Sequence, residues 1–197
     1  MAHQRKTATD RKAEIVQTAI LLAGEHGPDR VTTQQLADAI GISQPAIFRH
    51  FPTKADIWLA VGEMIARRMA MQDMDSGSGD PLGELRTLID RHLGQIVLTP
   101  ALPAILFSRE LHAENEPLRQ HFETVMANRR SGFAGLIRRA QGLGQLGPSA
   151  KAEDIAALIL ATIQGLATRW SLENRSFDLE VEGGRLIGIL MDGFRSV

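Results

Sequence analysis

With 197 residues, 44% of them hydrophobic and 23% charged, the chain has enough apolar content to bury a core, which excludes a disordered polymer. The formal net charge is −1 and no cysteine occurs, so a disulfide framework and a thiolate metal site are excluded and a cytoplasmic setting is expected. The longest uninterrupted apolar run, 155–161, falls short of the ~20 residues of a membrane span, and the basic N-terminus leads into Thr7-Ala8-Thr9-Asp10 instead of an apolar signal core, so neither a span nor secretion is expected.

Apolar residues recur at helical spacing along the whole chain and no stretch sustains a period of two, so the fold class is all-α, with about nine helices. Ile15, Ala19, Leu22 and Ala23 mark a first helix from about Asp10 to His26, closed by Gly27 and Pro28. Thr32 caps a second, with Gln35 three residues on at the spacing of a capping box. Gly41 ends it, Ser43 caps a third from Gln44 to about His50, and Thr53-Lys54-Ala55-Asp56 opens a fourth that fades in a Ser/Gly-rich loop near 72–80. Pro81 starts a fifth helix carrying Leu85, Leu88, Ile89, Leu93 and Ile96, which Pro100 and Pro103 interrupt. A sixth runs to about Glu114, a seventh from Asn115 to the glycines at 142, 144 and 147, an eighth over 151–173 and a ninth over 179–194.

The segment Thr32 to Phe51 has the pattern of a helix-turn-helix. Two helices cross closely only where the inner corner is small, which Ala37 supplies, and the sharp turn needs positive φ, which Gly41 supplies. Leu36, Ile40, Ile42 and Ile47 fill the seam, leaving Gln44, Ala46, Phe48, Arg49 and His50 to meet a major groove. Charge agrees weakly: residues 1–54 hold seven Lys/Arg against five Asp/Glu, and the remainder fifteen against eighteen. The basic residues Arg5, Lys6, Arg11 and Lys12 fit a solvated tail and a phosphate-contacting arm equally well.

These residues, and Gln44-Pro45-Ala46-Ile47-Phe48-Arg49-His50-Phe51-Pro52-Thr53-Lys54 in particular, resemble the TetR family of transcriptional regulators over about residues 10–62. The resemblance implies a DNA-binding domain over 1–53 and a helical ligand-binding and dimerisation domain over 54–197. It also implies that Thr33, His50 and Lys54 hold phosphates and that Gln44, Pro45, Ala46 and Arg49 face bases. Most members carry tyrosine where this chain has Phe48, so only apolar contact, for example to a thymine methyl, is expected there.

In the body, the eighth helix is apolar nearly all round and needs partners on several sides, so a homodimer seam is expected at Leu158, Thr162, Gly165 and Leu166, with Leu186 and Leu190 of the ninth helix. His92, Phe107, Phe122 and Met126 are the expected lining of a small-molecule pocket among the fifth to eighth helices; a solid core with a hydrogen-bonded His92 is the competing arrangement. The paired arginines 129–130 and 138–139 fit a solvated face. His112 and His121 lack helical metal spacing, and no nucleophile with its base or carboxylate pair stands out, so neither metal, cofactor nor enzymatic activity is expected. The sequence therefore points to a repressor that binds a palindromic DNA operator as a homodimer and is released by a small-molecule effector. A transcriptional activator or architectural DNA-binding protein shares the same head.

Overall fold

The computed structural model describes residues 7–73 and 79–195, with 71–73 described by their backbone alone. Arg5, Lys6 and most of the expected loop at 72–80 lie outside the described residues. Among those described, the chain is helical without strands: α1 (Ala8–His26), α2 (Thr33–Ile40), α3 (Gln44–Phe48), α4 (Lys54–Asp73), α5 (Pro81–Leu98), α6 (Leu102–Phe107), α7 (Arg109–Glu114), α8 (Glu116–Gly142), α9 (Ala152–Leu172) and α10 (Leu179–Asp192). The expected sixth helix is two helices. Ser108 breaks it, because its hydroxyl accepts from the Leu111 amide at 3.0 Å and so caps α7, while donating to Asp29 at 2.5 Å.

The helices form two compact units, one of residues up to 66 with 104–122, the other of 67–103 with 123 onwards. The division at residue 53 expected from the sequence concerns role, whereas packing draws this different line. In the first unit, α1 begins earlier than expected because Thr7 and Asp10 form a reciprocal capping box. Its Ile15, Val16, Ala19, Ile20 and Ala23 are buried, a helical stripe that packs on α2. Asn115 caps α8 through Leu118 and donates to the Ala55 carbonyl at 2.9 Å, which ties the starts of α4 and α8 together. Trp58 and Phe122 are buried in this unit, and His112 and His121 stand beside the Phe122 ring at 5.8 and 6.0 Å.

In the second unit, α10 packs on α5 and α9. The approach to α5 is close enough that a methyl added at Gly183 would fall 2.8 Å from the Leu93 side chain, which would have to shift. With 21 residues and a mean hydropathy of 1.4 over an apolar window, α9 is long and apolar enough to cross a membrane by length and composition alone, a test that the core helix of a folded unit also passes. Its Ile155, Ala156, Ile159, Leu160, Ile163, Leu166, Ala167 and Trp170 are buried inside the unit.

Candidate nucleic-acid interface

The turn that aims α3 is set by sequence chemistry. Gly41 adopts φ 69° and ψ 39°, and the paired bonds from the Ile42 amide to the Ala37 carbonyl and from the Gly41 amide to Asp38 make a Schellman closure of α2. Thr32 and Gln35 cap its other end reciprocally. Leu36, Ala37 and Ile47 are buried at the crossing, while Ile40 and Ile42 are half-buried. Ser43 stands at the cap position of α3 but its side chain makes no cap bond, so Pro45 in the first turn, which needs no amide partner, sets the start.

The exposed face of α3 and its exit carries Pro45, Phe48 and Arg49, with Gln44 and His50 half-buried beside them. Phe48 is 42% exposed, an aromatic side chain left in water on a small head. Ala46 is 6% exposed and turned into the head, a correction to its expected place among the base-facing residues: α3 is one short turn, and the position one before Ile47 falls on its packed side. Thr33 is also largely buried, and its hydroxyl accepts from the Gln44 side-chain amide at 2.7 Å. That bond between α2 and α3 was not expected from the sequence, since eleven residues separate the partners. Lys54 is half-buried at the start of α4, where Thr53 and Asp56 form the expected box. Arg11 pairs with Glu14 at 2.7 Å, and the Lys12 ammonium lies 5.3 Å from the Phe51 ring centroid, so these two residues belong to α1 and not to a tail.

Within the second unit, α9 leaves Ala157, Leu158, Ala161, Gly165, Thr168 and Leu172 exposed at helical spacing, and α10 leaves Val181 and Ile189. Leu158 is 47% exposed. Thr162 and Thr168 return their hydroxyls to the carbonyls four residues earlier, so this face asks for no polar partner. Leu186 and Leu190 are half-buried. Leu166, by contrast, is 7% exposed and points into the unit, a correction to its expected place on the seam.

The four expected pocket residues do not gather in one unit. Phe107 and Phe122 belong to the first, where Phe107 is exposed, and His92 and Met126 to the second. His92 is buried and its acidity is pushed to about 3, chiefly by burial and secondly by the positive charge of Arg129, so the ring is neutral. Its Nδ1 has no hydrogen-bond partner among the described residues. A cleft of about 280 Å³ opens instead between α5 and α8, with Leu88, Phe133 and Leu136 on its walls. Arg129, expected on a solvated face, is 8% exposed and lines that cleft. The signal was present: Arg129 lies seven residues after Phe122 and four before Phe133, on the buried stripe of α8.

Residues 15–61 match the family of bacterial regulatory proteins named tetR, and residues 81–182 match the BetI-type transcriptional repressor C-terminal family. The chain is 30% identical over 175 residues to the nucleoid occlusion factor SlmA of Vibrio vulnificus (strain YJ016), covering 86% of this chain and 87% of that one. It is 26% identical over 200 residues to the HTH-type transcriptional repressor BepR of Brucella suis biovar 1 (strain 1330), covering 94% and 95%. A TetR transcription regulator from Haloarcula marismortui ATCC 43049 has the same fold, with a TM-score of 0.82 at 23% identity over 95% of this chain and all of that one.

Proposed function

Because the chain belongs to the tetR family and is a DNA-binding transcription regulator, we propose that it represses transcription as a cytoplasmic homodimer on a palindromic operator and is released by a small molecule. The observation that carries this is the exposed Pro45, Phe48 and Arg49 face, held at a fixed angle by the Gly41 turn and by the Thr33–Gln44 bond. Gln44 and Arg49 read bases, Phe48 offers apolar contact, and Thr33, His50 and Lys54 position phosphates. The apolar face of α9 and α10 around Leu158, Gly165 and Ile189 joins two copies, so that two heads read two related half-sites. The effector releases DNA by binding the free arrangement of heads better than the DNA-competent one. Support for repression comes from the matched BetI-type repressor family and the BepR similarity. Footprinting on the promoter of the gene's own neighbourhood tests it: protection overlapping the promoter elements is expected, and protection confined to upstream activating positions would overturn repression.

The similarity to nucleoid occlusion factors favours one other arrangement, a DNA-bound protein that acts in nucleoid occlusion and not at a promoter. Genome-wide occupancy separates the two. A few promoter sites fit the repressor, and dispersed intergenic and coding sites fit the second arrangement.

A further inference from the structure

Arg11 and Lys12 are adjacent cations near the start of α1, and their surroundings differ. Arg11 is half-buried and pairs with Glu14 at 2.7 Å, so its charge is matched within its own helix. Lys12 is exposed, and among the described residues no carboxylate pairs with it. Its ammonium instead lies over the Phe51 ring, 5.3 Å from the centroid. The face of an aromatic ring attracts a cation without neutralising it. Phe51 is itself fixed: it is 6% exposed, and its amide donates to the Ile47 carbonyl at 3.0 Å. The Lys12 charge is therefore held from α1 beside the exit of α3.

A recognition helix lies in the major groove with its first residues toward the bases, so its far end points to the groove edge, where the phosphates run. The exit of α3 offers few polar groups of its own, since Phe48 has no hydroxyl and His50 is half-buried. From this arrangement we propose that Lys12 is a phosphate-binding residue of the head, seated by Phe51 at the end of α3, so that α1 grips the backbone of the DNA whose bases α3 faces. This rests on the DNA-binding reading of the head and adds to it a contact from a helix outside the helix-turn-helix. An ammonium suits the task, because it meets a phosphate as a compact point charge from several directions. Phe51 acts through Lys12 and is a positioning residue. The contact carries no sequence information: it fixes the orientation of the head and adds salt-sensitive affinity.

Arg11 provides the control, one residue away on the same helix and with the same charge. The purified full-length protein is titrated by fluorescence anisotropy, over a series of salt concentrations, with two labelled duplexes of equal length, one recovered by selection from random DNA and one of shuffled sequence. Lys12→Gln is expected to weaken both duplexes by the same factor and to lower the slope of log affinity against log salt by about 0.9 for each head bound, with the melting temperature unchanged. Arg11→Gln keeps the parent slope. Phe51→Leu weakens DNA binding in the parent but not in the Lys12→Gln background, while its effect on the melting temperature is the same in both. An unchanged slope in Lys12→Gln, an equal fall in Arg11→Gln, or a Phe51→Leu loss of affinity that is the same with and without Lys12 would overturn the proposal. The comparison of the two α1 substitutions decides by itself if Phe51→Leu does not fold. A parent protein that binds neither duplex sinks the DNA-binding reading and this contact with it, whereas parent binding that Lys12→Gln leaves unaltered sinks the contact alone.

Discussion

Gln44, proposed to read bases, keeps little freedom. One side-chain amide hydrogen is committed to the Thr33 hydroxyl at 2.7 Å, so the remaining polar edge is presented in a fixed direction. Replacing Gln44 or Arg49 by alanine is expected to relax base preference by ~1–3 kcal/mol per lost bidentate contact, measured by competition with single-base operator variants. Lys54→Ala should weaken all sequences alike and reduce the salt slope by about one. His92 makes a prediction of its own, with the sign set by linkage. Its folded acidity, about 3, lies below the usual 6.5, so the unfolded chain binds the extra proton between those values. Stability is therefore full above pH 6.5 and declines as pH falls toward 3. Denaturant unfolding should show a loss on the order of 2 kcal/mol between pH 7 and pH 5 that a folded His92→Phe variant no longer shows. An equal loss in that variant would assign the pH dependence to other groups. The inward direction of His92 was legible from its spacing with Leu88 and Ile96. Arg129 was not, because charge alone suggests a solvated face and only the position on the stripe contradicts it.

Two helices with side-chain caps were legible almost to the residue: α2 between Thr32 and Gly41, and α10 from the Asp178 cap, whose side chain accepts from the Val181 amide. The break at Ser108 was hidden because its partner Asp29 is 79 residues away, and helical periodicity runs through it. The same limit applies to α9. An all-round apolar sequence shows that partners surround the helix but not which side faces its own unit, and so Leu166 was placed outward although it is buried. The structure supplies a sharper experiment. Leu158→Glu, on the exposed face, is expected to give soluble monomers in sedimentation, whereas Leu166→Glu should cost more than about 3 kcal/mol of stability by burying an unpaired charge. A fully dimeric Leu158→Glu protein would place the seam elsewhere. At the head, Gly41→Ala forces a side chain into the left-handed region and should lower stability by about 1–2 kcal/mol, with operator affinity falling because α3 loses its fixed angle.

Across the whole molecule, a helix proposed to read bases and an apolar face proposed to pair two copies make a joint demand on DNA. Two identical heads related by a two-fold axis must find two related half-sites, and each head must find bases that Gln44 and Arg49 can read. Binding driven by phosphates alone would be salt-sensitive without a preferred sequence. Selection of bound fragments from random double-stranded DNA by the purified full-length protein tests this most directly. Enrichment of one inverted repeat is expected, with base preferences that Gln44→Ala and Arg49→Ala relax at positions symmetric about its centre. Enrichment of no motif, or of a single asymmetric site unaffected by either substitution, would contradict it.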